Sequence, residues 1–156
     1  MKIGIISDTH GHLPALVHTA FSGVDVILHA GDIGDQEIIT GLEMIAPVEA
    51  VHGNIDGWPL RSRYPVVRDL EYDGIKICLT HNIVTYQYYT FDLFRRGRQP
   101  DLVVFGHTHK AVFETYRNIN FLNPGSVYRP KGGSKRSFAV IGDISSDVTP
   151  EFIYFE

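Results

Sequence analysis

The side chains able to do chemistry collect in five short stretches. Residues 7–11 read SDTHG, 29–34 HAGDIG, 51–57 VHGNIDG and 105–110 FGHTHK, while His81 closes the apolar run 75–81, IKICLTH. Each stretch ends an apolar run, and four of the five combine Gly with Asp, Asn or His. The polar side chains gathered there are Asp8, His10, Asp32, Asn54, His81, His107 and His109. Four imidazoles, two carboxylates and an amide oxygen suit divalent ions of intermediate hardness: Mn, Fe, Co, Ni or Zn. Seven donors exceed the three or four that one zinc site takes from protein. With one carboxylate shared, they supply four bonds to each of two ions. Two divalent ions, Asp8, Asp32 and a bridging hydroxide then sum to a charge of about +1, suited to one phosphodiester anion. Such an ion pair activates water and clamps the attacking and leaving oxygens of an in-line displacement.

Other chemistries lack their residues. No G-x-S-x-G, G-x-x-x-x-G-K-[ST] or G-x-G-x-x-G is present. The spacing favours convergence: Asp8 and His10 are two apart, as are His107 and His109. In an extended chain such pairs point to one side. Gly11, Gly31, Gly53 and Gly106 permit positive φ or close backbone approach.

The elements that must position these residues follow from apolar patterning. KIGIIS (2–7), DVILHA (25–30), VEAVH (48–52), IKICLTH (75–81) and DLVVFG (101–106) read as short strands, apolar enough to be buried on both faces. Helical spacing appears over 13–22 and 35–46, and again over 87–97, which Gly97 and Pro100 end. Residues 111–116 and 119–123 flank Arg117-Asn118 as a hairpin, and 137–145 and 151–156 continue as antiparallel strands. The pattern is an α/β protein with a mixed sheet or two stacked sheets. In such sheets ligands bind outside the carboxyl ends of the strands, where all five stretches lie.

A chain of 156 residues with 44% hydrophobic and 21% charged residues forms one globular domain, read as 1–156. A net charge of −4 argues against a nucleic-acid polymer or an anionic membrane surface as partner. Cys78 is the only cysteine, so no intrachain disulfide forms, and the first residues hold no long apolar run. A cytoplasmic protein is expected, with self-association left open.

D8-T-H10, G31-D32, G53-N54, H81 and G106-H107-T-H109 resemble, in order, the five motifs of the calcineurin-like metallophosphoesterases. N123-P-G-S126 extends the resemblance to the small bacterial and archaeal phosphodiesterases of that superfamily. The resemblance implies two stacked mixed sheets flanked by helices, an α/β/β/α sandwich. It implies one metal on Asp8, His10, Asp32 and His109 and a second on Asp32, Asn54, His81 and His107, Asp32 bridging. Manganese is the first expectation, with Fe, Ni, Co or Zn as alternatives. A metal-bridging hydroxide would attack phosphorus, so Asp32, Asn54 and His81 act through the metals.

Each ligand also has an ordinary reading. Asp32 alone serves equally as a helix N-cap, Asn54 alone as a turn residue and His81 as a structural histidine. His18, His29 and His52 are assigned to structure, and Asp56 to the turn after Asn54. His12 and Asn82 are candidate substrate contacts together with Asn54; Asn82 alternatively completes a turn. Tyr86, Tyr88, Tyr89 and Phe91 are assigned to packing, Arg95, Arg96 and Arg98 to a solvated helix end, and residues 131–136 to a basic loop.

The main departure is Ile55. Many members have His there, held to protonate the leaving oxygen, and Ile55 cannot do so; small phosphodiesterases of the family often lack that His as well. A general acid contributes roughly 10²–10⁴-fold, so its loss weakens an enzyme without abolishing it. The expected function is a dinuclear metal-dependent phosphodiesterase acting on small phosphodiesters. The alternative is a protein-binding scaffold resembling the retromer subunit of this fold.

Overall fold

The apolar runs pair into two five-stranded sheets. The computed structural model describes residues 1–156. In chain order its elements are β1 (Ile3–Ile6), α1 (Ala15–Ala20), β2 (Val26–His29), α2 (Gln36–Glu43), β3 (Val48–Ala50), α3 (Trp58–Arg63) and β4 (Val67–Tyr72). There follow β5 (Ile75–Thr80), α4 (Tyr86–Arg95), β6 (Leu102–Val104), β7 (Ala111–Tyr116), β8 (Ile119–Pro124), β9 (Arg136–Ile141) and β10 (Glu151–Phe155). One sheet runs β10-β9-β1-β2-β3 and the other β4-β5-β6-β8-β7. Both are mixed: β1, β2 and β3 are parallel and β9 and β10 antiparallel to their neighbours, while β5, β6 and β8 are parallel and β4 and β7 antiparallel.

Strand alternation explains why the runs are apolar throughout. Ile3, Ile5, Val26 and Leu28 pack with Ile77, Leu79, Leu102 and Val104, joining the sheets face to face. The intervening Ile6 and Ile27 point the other way, onto Val17 of α1 and Ile39 and Leu42 of α2. Cys78, Val103 and Phe121 likewise pack against Tyr89 and Leu93 of α4. The result is the expected helix–sheet–sheet–helix layering. No helix is long and apolar enough to cross a membrane.

Three local features differ from the sequence reading. The hairpin β4–β5 and the helix α3 had no counterpart in it. β4 is an edge strand with the polar sequence VRDLEY, and α3 is a six-residue helix holding a proline. Asp73-Gly74, with φ of 51° and 81°, was the available signal, because Asp-Gly between strands favours a tight hairpin turn. Arg117-Asn118, φ 48° and 66°, makes the expected one. Finally, Asp35 and not Asp32 caps α2, accepting from Glu37 N at 2.8 Å.

Candidate metal centre

The five polar stretches meet at one edge of the sandwich, in loops leaving β1, β2, β3, β5 and β6. Backbone bonds zip the first two loops together: Asp8 N donates to Gly31 O, His10 N to Asp32 O and Gly11 N to Ile33 O. Gly106 N donates to His81 O and so joins the last two. The expectation that an extended chain aims Asp8 with His10, and His107 with His109, is corrected. Asp8, His10, His107 and His109 have φ of 52°, 45°, 71° and 58°, and Asp32 has 54°. These are left-handed conformations that cost non-glycine residues about 1–3 kcal/mol each and cluster at functional sites. Glycines supply the room. A Cβ on Gly106 would lie 2.6 Å from Asp8 Oδ2, and one on Gly53 would collide with Asp32 Oδ1.

The loops bring all seven expected donors together as two sets. In the first, Asp8 Oδ1 lies 3.1 Å from His109 Nε2 and 3.9 Å from His10 Nε2. His10 Nε2 is 3.6 Å from Asp32 Oδ2. Donor atoms of Asp8, His10, Asp32 and His109 all fall within 4.8 Å of one another. In the second set, Asn54 Oδ1 lies 3.0 Å from His81 Nε2 and 3.1 Å from His107 Nδ1. Asp32 Oδ2 is 3.3 Å from His81 Nε2, so this single oxygen faces both sets.

The donor chemistry fits divalent cations. His81 Nδ1 lies 2.8 Å from Ala30 O and His109 Nδ1 lies 2.5 Å from Arg129 O. Each Nδ1–H donates to a carbonyl, which leaves the neutral Nε2 a lone pair aimed into the site, as metal-ligating histidines are held. His81 Nε2 confronts the oxygens of Asp32 and Asn54, three electron-rich atoms held together by a proton on the ring in the absence of metal and by a metal ion when one is bound. Asp8 Oδ1 and His10 Nε2 are buried without a hydrogen-bond partner. Burial pushes the Asp8 carboxyl up, but the imidazoles of His10 and His109 beside it prevail and hold it well below the usual carboxylate range. Burial likewise raises Asp32, and His81 with the Ile55 amide outweighs it. Both carboxylates are thus ionised.

A ring of residues named in the sequence holds the donors, through bonds that the sequence does not show. Buried Asp56 does more than close the turn after Asn54. Its carboxylate accepts from Gly53 N (2.8 Å) in its own loop and from Ile33 N (3.2 Å) and Gly34 N (2.9 Å) in the loop carrying Asp32. Asn123 Nδ2 donates to Gly106 O and Thr108 Oγ1, fixing the loop of His107 and His109. Ser126 Oγ donates to Asp8 O at 2.9 Å. These three bonds give the N-P-G-S stretch its role. His29 is structural as expected: its Nδ1 accepts from Gly31 N, and its Nε2 lies 3.0 Å from Thr9 Oγ1.

Ile55 donates its backbone N–H to Asp32 Oδ1 at 3.0 Å while its side chain is 47% exposed at the rim. Asn82 Oδ1 accepts from Val84 N at 2.9 Å, completing a turn. The His12 ring stacks on Tyr128, centroids 4.2 Å apart, and Tyr128 also faces His10 at 5.8 Å. Of the aromatic group on α4, Tyr86 and Tyr89 pack inward, whereas Tyr88 and Phe91 are exposed.

Comparison with known proteins identifies the family and the fold. The family model for the calcineurin-like phosphoesterase superfamily domain matches residues 1–147. The chain is 39% identical over 139 residues to the "Probable metallophosphoesterase MJ0623" of Methanocaldococcus jannaschii, covering 84% of this chain and 70% of that protein. It is 30% identical over 141 residues to the "Phosphodiesterase MJ0936" of the same organism, covering 80% of this chain and 83% of that one. Among solved structures, a novel archaeal phosphodiesterase superposes with a TM-score of 0.79 at 26% identity, covering 99% of this chain and all of that one. A Vps29 mutant from Entamoeba histolytica superposes with a TM-score of 0.77 at 22% identity over the whole of both chains, a likeness of fold.

Proposed function

This chain belongs to the calcineurin-like phosphoesterase superfamily and is a metal-dependent phosphoric ester hydrolase, and from that premise we propose that it hydrolyses small phosphodiesters at a centre for two divalent ions. The observation that carries the reading is the position of Asp32 Oδ2, within 3.6 Å of His10 Nε2 and 3.3 Å of His81 Nε2. Asp8, His10, Asp32 and His109 would hold one ion, and Asp32, Asn54, His81 and His107 the other. Bound there, divalent ions supply an activated water and positive charge toward a phosphoryl oxygen. Manganese is our first choice, with Fe, Co, Ni or Zn accepted by the same ligands.

The chain's own residues set the charge and the orientation. Asn54 contributes a neutral oxygen where a carboxylate would cancel positive charge, leaving the centre attractive to a diester anion. The Ala30 and Arg129 carbonyls hold the His81 and His109 rings in register. Ile55 offers no proton to a departing oxygen, which favours esters whose alcohols leave readily. Asn54, Asn82 and His12 lie on the loops a bound diester would touch. We assign the protein to the cytoplasm on its single, unpaired Cys78.

The protein loaded with Mn²⁺ should hydrolyse bis(p-nitrophenyl) phosphate faster than p-nitrophenyl phosphate, with Asp32→Ala near background. Undiminished activity in Asp32→Ala would refute the shared carboxylate. No turnover with any of the five metals bound would favour the protein-binding reading that the Vps29-like fold and Ile55 raise.

A further inference from the structure

Beside the candidate metal centre lies a groove of about 700 Å³, the size of a small-ligand site. It opens between the loop following His81, the loop bearing His107 and His109, and the loop between β8 and β9. Thr108, between the two histidines, lines it, and Lys131 N donates to His109 O, so groove and centre are continuous. Its floor is apolar: Ile83 and Phe105 are buried, and the Tyr86 ring packs on those of Phe105 and Phe121 at 6.3 and 5.0 Å.

The rim carries two features that suit a ligand. Val84 is 69% exposed and has φ of 67°, a left-handed conformation that is an outlier for a β-branched residue. Asn82 Oδ1 holds its amide there at 2.9 Å, so the strain displays an apolar side chain to the groove mouth and adds nothing to the core. Such strain belongs with ligand clamps. Lys110 and Lys131 supply the second feature. Lys110 lies along Gly132 so closely that a Cβ there would stand 2.6 Å from its Cε and 2.9 Å from its Nζ. Neither lysine pairs with a carboxylate, a state they share with most basic side chains of this protein, so both ammonium groups are available to an anion. In a chain of net charge −4, two unneutralised ammonium groups share one rim beside an apolar floor.

Resting on the phosphodiesterase reading, we propose that this groove receives one ester arm of the substrate, an aromatic arm bearing its own negative charge. The apolar floor takes the ring, Val84 closes over it, and Lys110 and Lys131 meet the second anion, which the metal centre does not contact. Substrates are then diesters with an anionic aryl-like or nucleotide-like arm, in preference to neutral ones.

The test compares 4-carboxyphenyl p-nitrophenyl phosphate with 4-carbamoylphenyl p-nitrophenyl phosphate, matched in shape and different in charge. The expected KM is about tenfold lower for the carboxylate, the order two exposed ion pairs supply, and the ratio falls to about one in K110Q/K131Q. A ratio of one in the unsubstituted protein, or a ratio that survives in the double variant, would overturn the proposal while leaving the hydrolase intact. Separately, (4-carboxybenzyl)phosphonate titrated into nitrogen-15-labelled, Zn²⁺-loaded protein should move the amides of Thr85, Thr108 and Gly132, and should not do so in K110Q/K131Q. Shifts at those amides with neither diester hydrolysed would refute the hydrolase reading and, with it, a substrate arm as the occupant.

Discussion

Replacing Asp56 by Asn removes one oxygen and one charge from a side chain that accepts three backbone N–H groups of two loops. The amide oxygen can take over the bonds from Gly53 N and Ile33 N. Its NH₂ group then opposes Gly34 N, which belongs to an exposed residue and turns to water. Bonds to a charged acceptor contribute about 1.5–3 kcal/mol and neutral ones about 0.5–1.5 kcal/mol. One bond lost and two weakened come to about 4 kcal/mol, a fall in Tm of roughly 12 °C for a chain of this size. Asp56→Ala should cost more, because Gly53 N and Ile33 N become buried donors without partners. Both loops carry candidate ligands, Asp32 and Asn54, so the metal should feel the change too. Removing support behind ligands typically lowers metal affinity about 10–100-fold. Thermal unfolding followed by circular dichroism, paired with Mn²⁺ titration calorimetry, reads both effects. A Tm within about 2 °C of the parent and an unchanged Kd for Mn²⁺ would refute the claim that Asp56 ties the loops.

Other parts of the site allow equally direct tests. Burial pushes the fully buried His29 ring down to about 4 from its ordinary 6.5, the Asp56 carboxylate opposing, and its Nδ1 accepts from Gly31 N. The folded state therefore binds fewer protons than the unfolded one between those values. Stability from this group is complete above about pH 6.5 and is lost as pH falls toward 4, by about 3 kcal/mol in all. His29→Gln should flatten that part of the denaturant-derived stability curve, and parallel curves would disprove the assignment. With Ile55 unable to donate a proton, rates should fall steeply as leaving-group pKa rises, and Ile55→His should recover up to roughly 10²-fold for poor leaving groups; a flat dependence in the parent contradicts the missing acid. Asn123→Ala loses the bonds to Gly106 O and Thr108 Oγ1 in a fully buried position. It should cost about 3 kcal/mol in urea unfolding, and a loss under 1 kcal/mol would show that the loop holds its shape without it.

The legible parts of this protein were those written in neighbouring residues. Apolar runs closed by Gly-Asp, Gly-Asn and Gly-His located strands and loops, because turn chemistry and strand burial are local. The seven candidate ligands were legible for the same reason, as was the Arg117-Asn118 hairpin. β4 was not legible, since an edge strand half open to water has no apolar run to betray it, and Asp73-Gly74 was the only local clue.

What only the tertiary structure decided is how those residues face one another. The left-handed backbone at Asp8, His10, Asp32, His107 and His109 is imposed by bonds between loops, from Asp56 across about 22 residues and from Ser126 across 118. The Ala30 and Arg129 carbonyls choose which imidazole nitrogen enters the site, and Lys110 and Lys131 share a rim because β6–β7 and β8–β9 end side by side. Such pairings have no period in the sequence and no local propensity. They come from the sheet order, which depends on which apolar faces pack together once the whole chain is folded.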